Sequence, residues 1–314
     1  MPWVAFNLSG ASEFRRSNQV ANQKGIRSKS ALRIGAHISI SGGVAKAVDR
    51  AKAAGCEAVQ IFSGNPRGWK IVPFDPEAGA EFRRRCRYEE IYPVFIHSPY
   101  LINLSAPDEE IYRKSLGAFR NDLERCDLLG ADGFVIHVGY HRGEGMEAGM
   151  EKMAASLKAT LKALPDLKTT ILLENTASAG SSLGHRFEAI AEIMELSGAG
   201  EKLGLCFDTC HAFVSGYDVS TARGLDETIQ EIDRTVGLDR LKLVHFNDSK
   251  HGLGSRRDRH AHIGEGEIGL AGMRRIARHP QLQDKAFILE TPKKTPEDDP
   301  RNIALVKSFR DQPG

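Results

Sequence analysis

A (β/α)₈ TIM barrel, an α/β fold with its active site at the C-terminal ends of the strands, is the class this sequence predicts. Three observations predict it. Short apolar runs recur eight times, helix-period stretches fill the gaps, and residues able to bind metal stand at the ends of six consecutive runs. The runs are Arg33–Ile38, Ala58–Phe62, Val94–His97, Gly133–His137, Thr170–Glu174, Gly204–Asp208, Leu241–Phe246 and Ala286–Glu290. They are nearly continuous in apolar side chains, as parallel strands covered on both faces must be. Between the first two, Val44, Ala47, Val48, Ala51 and Ala54 share one helical face, with Ser41 placed to cap the helix and Gly55 to stop it. Leu116, Phe119, Leu123 and Cys126 form a second such stripe, ended by Gly130. Strand and helix alternating eight times read as a TIM barrel.

The chain has 314 residues, 41% apolar and 27% charged, enough for one large core. No repeat or low-complexity linker divides residues 33–314, which read as one catalytic domain. The formal net charge of +2 argues against a dedicated histone-like binder but not against an enzyme whose basic residues cluster on one face. Five scattered cysteines show no disulfide framework, which predicts a reducing, cytoplasmic compartment. There is no apolar stretch of membrane-spanning length and no signal-peptide core. Residues 1–32 differ in composition, with Arg15, Arg16, Lys24, Arg27 and Lys29 against the single acid Glu13. They read as a basic, disordered extension, with a nucleic-acid arm and a transit-like leader as the functional alternatives.

His97, His137, Glu174, Asp208, His245 and Glu290 stand at the ends of strands three to eight, in order. In a barrel those ends converge on one face. A single histidine there is ordinarily a packed or hydrogen-bonded side chain. Six imidazoles and carboxylates together would be too costly to bury without cations, so the residues alone reach a multinuclear metal site. His211 follows Asp208 by one short turn, and Asp258 and His260 can point the same way from an extended loop. Mixed histidine and carboxylate donors favour zinc over calcium or magnesium. Cys206 and Cys210 lack paired-knuckle spacing and read as packed side chains. His37 and His141 are candidates for supporting or substrate contacts.

The stretches GAHISISGG, HSPYLINL, ENTASAGSSLG, CFDTCHAFVSGYD, HFNDSKHGLGSRRDRHAHIGEG and ILETP are similar to the pattern of endonuclease IV, the bacterial-type apurinic/apyrimidinic endonuclease also called deoxyribonuclease IV. The resemblance runs from about Arg33 to about Lys307. It implies a trinuclear zinc site, with His97, His137 and Glu174 on one ion, and Glu174, Asp208, His245 and Glu290 on a second. His211, Asp258 and His260 would hold the third, and Glu174 would be the bridge and the catalytic residue. Arg67, Tyr100 and Leu101 match the side chains that enter the minor groove at the lesion, although Tyr100 and Leu101 taken alone read as core.

The implied activity is repair of double-stranded DNA by a monomer. A zinc-activated hydroxide would hydrolyse the phosphodiester 5′ to an abasic site, leaving a 3′-hydroxyl, and would remove 3′-blocking groups. From the residues alone, the basic loop between Lys250 and Arg259, Arg256 and Arg257 among them, reads equally as a clamp on the DNA backbone or as a solvated charged loop. Two alternatives stand beside this reading: a metal-dependent sugar isomerase or epimerase on a related barrel, and a non-catalytic DNA-binding protein. Five histidines among nine donors suit the first poorly, and the second has no need of metal ligands on six strand ends.

Overall fold

A computed structural model describes residues 32–311. Its strands β1 (Arg33–His37), β2 (Ala58–Phe62), β3 (Val94–His97), β4 (Gly133–His137), β5 (Thr170–Glu174), β6 (Leu203–Asp208), β7 (Leu241–His245) and β10 (Ala286–Leu289) close into a parallel barrel, in the order β1-β10-β7-β6-β5-β4-β3-β2. Two further strands, β8 (Asp248–Ser249) and β9 (His260–Ala261), form an antiparallel hairpin that follows β7. No sequence pattern announces this hairpin, because two residues per strand are too few to show a period. Its register pairs Ser249 with His260 and so anchors the loop that carries Asp258 and His260.

The helices are α1 (Val44–Ala54), α2 (Pro76–Tyr88), α3 (Glu109–Leu129), α4 (Met146–Ala163), α5 (Phe187–Ser197), α6 (Thr209–Ser215), α7 (Ala222–Thr235), α8 (Gly269–Ala277) and α9 (Asp298–Asp311). The expected face of α1 is the buried one, and Gly55 ends the helix at φ 77°, a conformation that suits glycine. Ser41 is not its cap. Gly43 occupies that position without a side-chain bond, because the chain enters α1 through two positive-φ glycines, Gly42 and Gly43. The carbonyl of Ser41 instead accepts from the Arg50 guanidinium at 2.6 Å. The α3 stripe is buried at Phe119, Leu123 and Cys126 and half-buried at Leu116, and Gly130 stops the helix at φ 66°.

Two layers of core follow. Ala58, Phe95, Val135, Leu172, Cys206, Leu243 and Ile288, each from a different strand, pack together to fill the lumen. The larger cluster lies between the strands and the surrounding helices, with Phe82, Phe119, Phe134, Phe187 and Phe287 fully buried in it. β1 passes so close to β2 that a Cβ at Gly35 would overlap the carbonyl of Ala58, so only glycine fits there. The expected extension lies outside the described residues apart from Leu32, which is buried and whose carbonyl accepts from Arg310 on α9 at 3.0 Å. None of the helices among the described residues is long and apolar enough to cross a membrane.

Candidate metal centre

Each strand from β3 onward ends where apolar lining gives way to a polar donor, and barrel closure brings these donors together. His97, His137 and Glu174, at the ends of β3, β4 and β5, place one ligand atom each within 4.8 Å of one another. His211, Asp258 and His260 form a second such group. Between them the Nδ1 of His245 lies 3.0 Å from Glu174 Oε1, 3.3 Å from Glu290 Oε2 and 3.9 Å from Asp208 Oδ2. Glu174 is fully buried and touches both neighbours of this middle group. Its Oε2 is 3.2 Å from His97 Nε2 and 3.1 Å from His137 Nε2, and its Oε1 is 3.4 Å from His211 Nδ1. All nine residues singled out as donors therefore gather at one mouth of the barrel.

Local structure aims the side chains. Asp208 is both the last residue of β6 and the N-cap of α6, its Oδ1 accepting from the His211 N–H at 2.8 Å. One carboxylate oxygen starts the helix while the other faces the centre, and the helical turn delivers His211 three residues on. The imidazoles are oriented from behind. His97 Nδ1–H donates to the Ser98 carbonyl (2.7 Å), His211 Nδ1–H to the Asn175 carbonyl (2.9 Å), and His260 Nδ1–H to the Glu290 carbonyl (3.0 Å). His245 is turned the other way, with Nε2–H donating to Gln60 Oε1 at 2.8 Å. Four histidines thus have one nitrogen committed to an acceptor and the other directed inward, the tautomer that metal coordination requires.

Electrostatics point the same way. Burial pushes the carboxyl of Glu174 up, but the His245 and His137 imidazoles outweigh it and hold that carboxyl well below its ordinary value. Burial likewise opposes ionisation of Glu290, and His245 together with the His37 hydrogen bond overcomes it. Burial lowers His211 and His245, yet their acidic neighbours raise both well above the usual imidazole range. Carboxylates thus surround a pit that attracts cations, protons included. His260 Nε2 is buried without a hydrogen-bond partner, 3.4 Å from Asp258 Oδ1 and 3.8 Å from Asp208 Oδ2. A cation between these atoms satisfies all three, and the donor set of nitrogen and carboxylate oxygen fits zinc.

Other side chains carry a weaker sequence signal. Asn175 and Asp208 exchange two hydrogen bonds through the Asn175 side chain (2.7 and 3.0 Å). Asn247 donates to Asp208 Oδ2 at 2.7 Å and accepts from the Glu290 N–H at 2.8 Å. Both asparagines directly follow or closely trail a donor in sequence, which is the signal that could have marked them. Cys206 packs in the lumen as expected, with burial pushing its thiol up to about 12, and Cys210 packs on Ala177 and Val214. Both sulfurs still lie within 4.8 Å of donor groups, Cys206 of Glu174 and His245, Cys210 of Asp208 and His260. His37 sits 3.2 Å from Glu290 Oε1. His141 faces its own turn, Nδ1 accepting from Gly143 and Gly145 N–H (3.3 and 3.1 Å).

An open cleft of about 1110 Å³ lies over the centre, and Arg67, Tyr100, Lys250, Arg259 and Lys293 line it. Tyr100 is 67% exposed, its ring edge-on to Phe62 at 5.4 Å, so the core reading of this residue fails. Leu101 is half-buried and does not line the cleft, and neither do Arg256 and Arg257. Behind Arg67, Arg125 donates to the Ser63 and Val72 carbonyls and fastens the loop at both ends.

A closed parallel barrel with such donors at its strand ends defines a class of metal-capable TIM barrels. The family model described as xylose isomerase-like TIM barrel matches residues 48–309. Individual relatives narrow this. The chain is 43% identical over 279 residues to a probable endonuclease 4 from Halothermothrix orenii, covering 89% of this chain and 99% of the relative. It is 46% identical over 276 residues to a probable endonuclease 4 from Methanoculleus marisnigri, covering 88% and 98%. The crystal structure of endonuclease IV from Thermus thermophilus superposes with a TM-score of 0.79 at 38% identity, over 88% of this chain and 98% of that one. This chain belongs to the endonuclease 4 family.

Proposed function

We propose that this endonuclease acts in DNA repair, hydrolysing the phosphodiester 5′ to an abasic site to leave a 3′-hydroxyl, and clearing blocked 3′ ends, with three zinc ions. The observation that carries the reading is the set of four imidazoles whose outward nitrogens are all tied to acceptors, so that their free nitrogens converge on the carboxylates of the centre. His97, His137 and Glu174 would hold one ion; Glu174, Asp208, His245 and Glu290 a second; His211, Asp258 and His260 the third. Zinc held by these residues would supply Lewis acidity, which can lower the pKa of water from 15.7 to about 7 and offset negative charge on phosphate oxygens.

The chain's own groups bind and orient. Three divalent ions against four carboxylates leave a local charge of about +2, which a phosphodiester complements. Arg67, Lys250 and Arg259 line the cleft where flanking phosphates would lie. Tyr100 presents an exposed ring that can replace lost base stacking, and an abasic nucleotide is cheap to extrude because its stacking is already gone. Leu101, beside it, would wedge the vacated stack. We read the protein as a cytoplasmic monomer, with residues 1–31 outside its catalytic domain.

Incubating the zinc-loaded protein with a duplex carrying one abasic-site analogue tests this. The expected product is a single nick 5′ to the lesion with an extendable 3′-hydroxyl. Intact activity without zinc, or epimerisation of a ketose with no nicking, would overturn it. The sugar-epimerase alternative has only the shared barrel behind it, since the relatives at 43% and 46% identity carry the endonuclease name.

A further inference from the structure

We propose that Gln60 is a positioning residue of the middle metal site, its carboxamide tying His245 to Glu290 so that the other donor atom of each is presented to the same ion. This rests on the zinc-centre reading above. Gln60 lies in the middle of β2, within the run AVQIF, and is completely buried. A polar side chain in that position is costly unless every hydrogen-bonding atom is met, and here each is met by the centre. Oε1 accepts from His245 Nε2–H at 2.8 Å. Nε2 donates to Glu290 Oε1 at 2.8 Å and lies 3.0 Å from His37 Nδ1.

The amide can sit only one way round. Reversed, it would set an oxygen against the Glu290 carboxylate and an N–H against the His245 N–H. In the observed orientation its oxygen holds the His245 proton on Nε2. That leaves the Nδ1 lone pair facing Glu174, Glu290 and Asp208. Its nitrogen meanwhile occupies Glu290 Oε1, leaving Oε2 as the oxygen 3.3 Å from His245 Nδ1. β2 and β7 are not neighbours in the barrel, because β1 and β10 lie between them on the shorter way round. The carboxamide therefore reaches across the lumen and sets the spacing of two donors that backbone pairing alone leaves free.

Zinc-loaded wild type and Gln60→Met, which keeps volume and loses both hydrogen bonds, are titrated with a chelator of known affinity. Retained metal is counted by elemental analysis. One of three ions should leave Gln60→Met at about 10- to 100-fold lower chelator strength, the usual effect of losing a partner behind a ligand. The other two should leave as in wild type. Melting of the metal-stripped forms should differ by no more than a few degrees, which a purely structural role would not allow. In the zinc-loaded wild type, long-range ¹H–¹⁵N correlations should show the His245 proton on Nε2, a readout that needs no variant to fold. Equal chelator resistance in the two proteins, or a proton on His245 Nδ1, overturns the role of Gln60 while the zinc centre stands. A wild type that takes up no zinc takes down both.

Discussion

Replacing Glu174 by glutamine keeps the volume at the centre and removes its most connected charge. The carboxylate meets four imidazole nitrogens between 3.0 and 3.4 Å, at His97, His137, His211 and His245. At an effective dielectric of about 20, one unit charge about 3 Å from another is worth roughly 5 kcal/mol, so the group is central to the balance of the site. As the proposed bridge it serves two ions. Loss of a residue that merely supports a ligand costs about 10- to 100-fold in metal affinity or activity. Loss of a ligand itself costs at least the upper figure for each ion, and two such losses give about 10⁴, or about 5 kcal/mol at 1.36 kcal/mol per tenfold. Glu174→Gln should therefore nick an abasic duplex roughly 10⁴-fold more slowly than wild type. Single-turnover gel assays with protein in excess measure this, and elemental analysis of the same samples should show fewer than three zinc ions. Full metal content with turnover within tenfold of wild type would refute the bridging assignment.

Stripping the metal should lower the melting temperature by about 10 °C, since a ligand at 1,000 times its Kd adds about 4 kcal/mol and one kcal/mol shifts a domain of this size by about 2–4 °C; calorimetry with and without chelator checks it, and an unchanged melt contradicts a structural share for the ions. Tyr100→Ala combined with Leu101→Ala should reduce discrimination between abasic and intact duplexes about ten- to a hundredfold, with Tyr100 contributing most because it alone of the pair lines the cleft. Paired binding titrations show whether discrimination falls while zinc content holds, and unchanged discrimination returns both residues to a packing role. Deleting residues 1–31 should leave cleavage intact, because Leu32 is the first buried residue of the described barrel; loss of turnover in folded, zinc-loaded protein would contradict this. Glu57→Gln should cost about 1–2 kcal/mol at neutral pH, as Glu57 accepts from Arg310 (2.7 Å) and the Ile34 N–H (3.1 Å). Burial pushes this carboxyl up but those partners hold it below its usual value, so its stabilisation is present above about pH 4.3 and fades as pH falls through the folded value. Denaturation of both proteins from about pH 7 to 3 should show the curves converging at the acid end, and a constant gap would count against the assignment.

The barrel was legible because parallel strands covered on both faces are written as uninterrupted apolar runs, and a polar residue at the end of such a run stands out. That is why His97, His137, Glu174, Asp208 and His245 could be picked out by position alone. Gln60 was not, because it interrupts a run in its middle, and its partners on β7 and after β10 become neighbours only across a closed lumen. The β8–β9 hairpin and the Gly43 entry to α1 were hidden for local reasons. The first is shorter than any periodicity, and the second replaces a side-chain cap with backbone that turns through positive φ. Tyr100 shows the opposite failing. An aromatic residue just past a buried strand reads as core, and only the course of the chain after β3 turns it outward.

Asp208 ends a strand, begins a helix and aims one oxygen at the centre, and the other donors carried by barrel strands likewise stand at a strand's last residue or just past it. The donors come from segments spread between residues 97 and 290, and no two neighbouring strands supply a full set. A nascent or partly unravelled chain accordingly holds scattered acids and imidazoles but no assembled reaction centre. The donor set is thus a property of the closed ring as a whole, and no single segment of the chain carries it.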